Sequence, residues 1–332
     1  MLWFRSHVIL ICLIFSACSA PVKDYSDQIF VKSVSYKFID ELFLQNDERN
    51  SVINVPVWVS YPDIEKFSPP YPAVVLLHSS WGFSAQESFY ANKFKQLGIA
   101  VFAIDSFTPR GVRKTSTDQS LVSSASMIKD AYQVLEYLHT DYKVNAHKVA
   151  VMGFSKGGIV AFYSAFDSVN QAINENTQSF AAHIAYYPWC GIRLHDMSTT
   201  GMPILIQGGE KDVITPVKKC KQIIDEEFTQ ESKQSVIVKS HPKARHAFDH
   251  PILARVPFML ALDAQVPAFC DLRQDETGEF TEIHSNEKVT GENIKSVLEA
   301  CSTATGNAGS HRRATKNALE ITTTFLKKHL ID

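Results

Sequence analysis

The chain has 332 residues, 33 of them basic and 35 acidic, and 45% are hydrophobic. This apolar content excludes intrinsic disorder, and 14 Gly with 14 Pro exclude a collagen-like or linker-rich architecture. A formal charge of −2 argues against nucleic acid as the main partner, because phosphate neutralisation needs a basic surface.

The chain opens on a segment that reads as an export signal over residues 1–20. Arg5 and His7 precede an uncharged run from position 8 to 15, and Ser16, Ala17, Cys18, Ser19 and Ala20 follow. A basic start, an apolar stretch and a small-residue exit have the signal-peptide order. The run is about half of the roughly 20 residues that a bilayer-spanning helix needs. Phe15-Ser16-Ala17-Cys18 resembles a bacterial lipobox, with Phe where Leu is usual. The expectation is an exported bacterial protein. It is either a periplasmic or outer-membrane lipoprotein, touching membrane only through a lipid on Cys18, or a soluble secreted one.

Residues 29–37 and 51–60 alternate partially and hold β-branched residues, so they predict two antiparallel strands joined by the polar turn 45–50. Residues 73–77 (Ala-Val-Val-Leu-Leu) are an unbroken apolar run, the pattern of a strand buried on both faces. Further short strands are expected at 99–104, 148–154, 183–187, 204–207 and 235–239. Helical patterns lie between them at 85–97, 123–142, 156–166 and 217–228, and a last one at 312–329. Alternation of this kind builds a mainly parallel central sheet flanked by helices. No fixed-period repeat points to a solenoid or propeller.

Residues 267–310 break the rhythm. They are polar and longer than an ordinary connection, so they read as an insertion before the final helix. Four cysteines remain beyond the signal, an even number suited to an oxidising compartment, and four allow three pairings. Cys270–Cys301 would fasten the insertion, which leaves Cys190–Cys220 at the carboxyl edge of the sheet. Buried free thiols are the alternative. No Cys-x-x-Cys occurs and no His stands at zinc spacing, so no metal is expected.

The chemistry begins at 149–158. A buried strand runs into Gly153-Phe154-Ser155-Lys156-Gly157, and a helix follows. That context is a nucleophile elbow, with Ser155 on the tight turn. A serine hydroxyl needs a base, and the base needs a carboxylate. In this arrangement the order is Ser, acid, His. Asp212 follows the strand 204–207 and is the expected acid, with Glu210 the competitor. Three histidines crowd the loop after 235–239, and His246 is chosen over His241 and His250. The oxyanion needs two backbone amides. One is expected from Lys156 and the other from Ser80, or else Ser79. Trp81 walls the pocket or packs in the core. Arg110 either binds a substrate carboxylate or pins its loop to Asp105 or to carbonyls.

With these residues in place, positions 73–250 resemble the dienelactone hydrolase family of α/β-hydrolases. The resemblance rests on Gly-Phe-Ser-Lys-Gly-Gly at 153–158, Gly-Glu-Lys-Asp at 209–212 and His-Ala-Phe-Asp at 246–249. Residues 105–111 (Asp-Ser-Phe-Thr-Pro-Arg-Gly) are similar to a motif of its exported members, as is Tyr-Pro-x-Cys at 187–190 paired with Cys220. The resemblance implies an α/β-hydrolase sheet and hydrolysis of a small-molecule ester or lactone through an acyl-enzyme, without a cofactor. The founding enzymes carry Cys at the Ser155 position and Glu in the loop that here reads Ser79-Ser80. Those departures point away from dienelactone itself as the substrate. Other expectations on the same triad are acyl transfer or peptide cleavage. A surface-anchored binding protein without activity is the reading from another class. Residues 21–332 are expected to form one domain.

Overall fold

The computed structural model describes residues 25–44, 51–173, 178–255 and 260–332. The expected signal, Cys18 and the expected turn at 45–50 lie outside the described residues.

The apolar run at the centre becomes β3 (Tyr71–Leu77). Ala73, Val75 and Leu77 enter one buried cluster, while Val74 and Leu76 enter another on the opposite face. A strand packed on both sides needs no polar face, which is why the run does not alternate. Around it lie β1 (Asp27–Ser33), β2 (Ile53–Ser60), β4 (Ala100–Ile104), β5 (Val144–Phe154), β6 (Ala182–Tyr186), β8 (Ile204–Gly209) and β9 (Val236–His241), where β7 is the short pair Ile192–Arg193. The sheet order is β1-β2-β4-β3-β5-β6-β8-β9. The β1–β2 and β2–β4 pairs are antiparallel, and every later pair is parallel. The mainly parallel sheet and the N-terminal antiparallel pair are therefore as expected.

One departure lies in the first strand. It ends at Ser33 rather than running to residue 37, because Tyr36 leaves the sheet for the start of the third helix. The helices in chain order are α1 (Asp40–Phe43), α2 (Ala85–Lys95), α3 (Ser124–Leu138), α4 (Lys156–Tyr163), α5 (Asp167–Ile173), α6 (Val217–Glu227), α7 (Gln230–Gln234), α8 (Ile294–Cys301) and α9 (Arg312–Leu326). Tyr36 N–H donates to Ser126 Oγ at 2.8 Å, and Ser123 Oγ donates to Tyr36 O at 2.6 Å. These bonds satisfy the backbone N–H and C=O of Tyr36 outside the sheet, while Ser123 Oγ caps the helix by accepting from Ser126 N–H at 3.1 Å. The start of α2 carries a capping box, with Ser84 N–H donating to Glu87 Oε2 at 2.6 Å. One face of the sheet is covered by α3, α4 and α6, and the other by α2 and α9.

The segment expected as a polar insertion is folded. β11 (Leu272–Gln274), β12 (Phe280–Glu282) and β13 (Glu287–Val289) form a meander, and β11 pairs in parallel with β7. Then α8 follows, and β14 (Thr303–Ala308) returns antiparallel to β10 (Leu260–Val266). Its sparse apolar residues are the anchors, since Leu272, Phe280, Val289, Ile294, Val297 and Leu298 all join the larger core cluster. Both disulfides are present, Cys190–Cys220 and Cys270–Cys301. The return strand ends under the His loop, where Gly309 N–H donates to His246 O at 3.2 Å.

Candidate active site

Ser155 stands between β5 and α4 with φ 53° and ψ −110°, a conformation that L-residues rarely hold. Two glycines permit the turn. A Cβ on Gly153 would lie 2.1 Å from Gly157 O, and one on Gly157 would lie 2.5 Å from Leu77 O. Only the missing side chains let α4 approach the strands that closely. Ser155 N–H donates to Tyr186 O at 2.9 Å and Gly157 N–H donates to His78 O at 3.1 Å, which ties the turn to both neighbouring strands.

The expected partners converge there. His246 Nε2 lies 3.0 Å from Ser155 Oγ, and His246 Nδ1 lies 2.8 Å from Asp212 Oδ2. All three residues are buried. Asp212 Oδ1 accepts from the N–H groups of Ile214 at 2.8 Å and Thr215 at 3.0 Å, so the carboxylate is aimed before any substrate arrives. Glu210, the competitor, is exposed. His241 bonds Gln207 Oε1 at 3.0 Å through Nε2, and burial pulls its pKa down to about 4. His250 packs edge-on to Trp81 at 5.5 Å, and burial pulls its pKa to about 4 as well. Among the described residues, neither of these two histidines hydrogen-bonds Ser155.

Ser80 and Lys156 line a cavity together with Ser155. Among the hydrogen bonds of the described residues, none engages the backbone N–H of Ser80 or Lys156. Ser79 instead closes a tight turn, accepting from Gly82 N–H at 3.0 Å and, through Oγ, from Trp81 N–H at 3.2 Å. Trp81 lines a cavity together with Ser155 and His246. Among the described residues no group of three His, Cys, Asp or Glu is arranged to hold a metal ion.

A model of the dienelactone hydrolase family matches residues 61–255, more than half of the chain. The chain belongs to the dienelactone hydrolase family. That membership makes it a carboxylic-ester hydrolase by family. Solved structures share the fold. A Klebsiella pneumoniae protein named as a dienelactone hydrolase is 13% identical, with a TM-score of 0.51 over 91% of this chain and all of its own. Esterase 2 of Thermogutta terrifontis with propionate bound is 14% identical, with a TM-score of 0.52 over 94% of this chain and 98% of its own. The same esterase phosphorylated by paraoxon gives a TM-score of 0.50 at 14% identity, over 84% and 91%. No curated protein matches the chain. At these identities the likeness shows the α/β-hydrolase fold.

One reading of this hydrolase is corrected. The side chain of Arg110 has no donor left for a substrate carboxylate. Its Nε donates to Ser35 Oγ, Nη1 to Ser106 O and Asp130 Oδ2, and Nη2 to Val34 O and Asp130 Oδ1, all within 2.9 Å. A guanidinium has five N–H groups, and all five are used. Arg110 pins its loop, and its carboxylate partner is Asp130 rather than Asp105. Asp105 caps the turn beside it, accepting from Thr108 N–H at 3.1 Å and Thr108 Oγ1 at 2.6 Å.

Other site residues carry no sequence signal of their role. Tyr187 has φ 39° and packs its ring 4.8 Å from the His246 ring. Its hydroxyl donates to Asp249 Oδ1 at 2.8 Å and accepts from Gln86 Nε2 at 2.8 Å. Tyr90 Oη donates to Asp249 Oδ2 at 2.7 Å. Burial raises the Asp249 carboxyl above its ordinary value, while these donors lower it. The Lys156 side chain is also buried. Its Nζ donates to Gln119 O at 2.7 Å and Gln119 Oε1 at 3.2 Å, and burial pulls its pKa down to about 7. Tyr187 and Asp249 lay in motifs visible in the sequence, but their pairing depends on a contact 62 residues apart.

Proposed function

We propose that the protein cleaves a carboxylic ester or lactone through an acyl-enzyme on Ser155, His246 and Asp212. The observation that carries the reading is the hydrogen-bonded chain of 3.0 and 2.8 Å from Ser155 Oγ to Asp212, ending on a serine held at positive φ. His246 Nε2 takes the Oγ proton as Oγ bonds to the ester carbon. The carbonyl electrons move onto oxygen, toward the amides of Ser80 and Lys156. Collapse breaks the bond to the alcohol oxygen, which receives the proton from Nε2. Water then gives a proton to Nε2, attacks the acyl carbon, and releases Ser155 Oγ with its proton restored. Asp212 holds the Nδ1–H tautomer and stabilises the imidazolium in each half.

Family membership supports an ester as the substrate class, and the Thermogutta esterase of the same fold is phosphorylated by paraoxon. A fluorophosphonate probe is expected to label the protein, and short p-nitrophenyl esters are expected to turn over. Ser155→Ala should abolish labelling and lower kcat by about 10⁴-fold or more. Labelling that persists in this variant removes Ser155 as the nucleophile.

The reading extends to location. Two disulfides fit an oxidising compartment, and Cys18 is the proposed lipid site. In a bacterial host, labelled palmitate should enter the full chain and be absent from Cys18→Ser. An unlabelled wild-type chain makes the signal an ordinary cleaved one.

A further inference from the structure

Two cavities meet at Ser155, and they share Ser80, Gln119, Ile214 and Gln265 in their walls. The larger has a volume of about 90 Å³ and the smaller about 40 Å³. Resting on the hydrolase reading above, we propose that the larger cavity receives the acyl chain of an uncharged ester, and that the alcohol occupies the smaller one.

The assignment follows from the proton. His246 Nε2 must hand its proton to the leaving oxygen, so the alcohol lies on the side where His246 forms the wall. His246 lines the smaller cavity and not the larger. The acyl chain must then point the other way, between α3, α4 and the 267–310 segment. That cavity is walled by Ile128 of α3, Ile159 of α4 and Ile294 and Leu298 of α8. Two cations touch it, and both are engaged. Lys156 Nζ donates twice to Gln119, and Lys37 pairs with Glu292. A carboxylate at the chain end would lose its water there without a free partner. The volume has room for on the order of six waters, enough for a short or medium chain and too little for a long fatty acyl. Because α8 supplies part of the wall, the 267–310 segment acts as a specificity element for the acyl group.

The test uses the full chain with two ester series. One varies the acyl chain from acetate to decanoate on p-nitrophenol, with matched acyl chains ending in carboxylate. The other varies the alcohol from methyl to hexyl on butanoate. kcat/KM should rise about three- to fourfold per methylene added to the acyl chain, up to an optimum, and then fall. The carboxylate-ended chains should be the poorer substrates at every length. Leu298→Trp should lower the ratio of the optimal chain to acetate and leave the ranking of alcohols as it was. Leu262→Trp, in the smaller cavity, should change the ranking of alcohols and not of acyl chains. Ile294→Phe repeats the first arm if Leu298→Trp does not fold. A flat acyl profile, a preference for carboxylate-ended chains, or an alcohol ranking that follows Leu298→Trp overturns the assignment while fluorophosphonate labelling of Ser155 keeps the hydrolase reading. Loss of labelling and of all turnover in the wild type overturns that reading itself.

Discussion

His183 on β6 keeps its imidazole inside the fold. Its Nδ1 lies 3.1 Å from Ala161 O, and its Nε2 has no partner among the described residues. Burial pulls its pKa down to about 3, and it pulls His241 and His250 to about 4. The ordinary histidine value is about 6.5. For these groups the unfolded chain binds more protons than the folded one between pH 6.5 and the lowered values. The stability of the neutral form is therefore fully present above pH 6.5 and is lost as pH falls toward 4. Glu87 acts in the opposite sense, because burial raises it from 4.5 to about 7. Its contribution is full below pH 4.5 and is lost as pH rises through 7, so it offsets one of the three histidines between 4.5 and 6.5. His183→Asn should therefore flatten the fall in unfolding free energy between pH 6.5 and 4, by up to about 1.4 kcal/mol per pH unit. Denaturant titrations at fixed pH values measure this slope, and an unchanged slope refutes the role given to His183. None of this was visible in the sequence, where His183 is one polar residue in an apolar strand. The residues proposed as the triad stood out because each lies in the loop after an expected strand, in an expected order, although β9, the strand before His246, is only partly buried.

At the scale of elements, legibility followed burial. The parallel strands β3 to β6 and β8 are fully or largely buried, so their apolar runs stand out, and their observed bounds lie within a few residues of those expected. The weakly patterned elements were missed. β11, β12 and β13 have three residues each, and each buries only one or two of them. Their identity depends on β11 pairing with β7, whose two residues lie some 80 positions earlier. The local pattern there is polar, and a single Leu, Phe or Val per strand is too little to set a period. The same holds for the first strand, whose end is decided by Tyr36 reaching Ser126, a contact 90 residues away. Arg110 shows the limit for a side chain. Its position after β4 placed it near the catalytic edge, but three of its partners, Val34 and Ser35 after β1 and Asp130 in α3, come from distant parts of the chain.

For the whole molecule, we read residues 21–332 as one domain bearing the 267–310 segment as an insertion. The segment is bound to the rest at its base by more than the disulfide. Asp271 pairs with Arg193 at 2.8 Å and with Lys219 at 3.0 Å, and Lys219 Nζ donates to Cys270 O at 2.7 Å. Leu272, Ile294 and Leu298 meanwhile sit in the same core cluster as β3 and β5. These contacts keep the segment docked when the sulfurs are gone. The Cys270–Cys301 bond should then act mainly on the unfolded chain, by closing a loop of 31 residues. Chain-entropy arithmetic for that length gives about 3–4 kcal/mol. Replacing both cysteines with Ala should leave a folded, active enzyme whose unfolding free energy is lower by about that amount, read from urea titrations with each chain's own denaturant slope. It should also keep the acyl-length optimum, because α8 is held by packing. A variant as stable as the wild type refutes the unfolded-state argument. One that loses the acyl optimum while Ser155 still reacts with the probe shows that the disulfide, rather than the core contacts, seats α8 against the cavity.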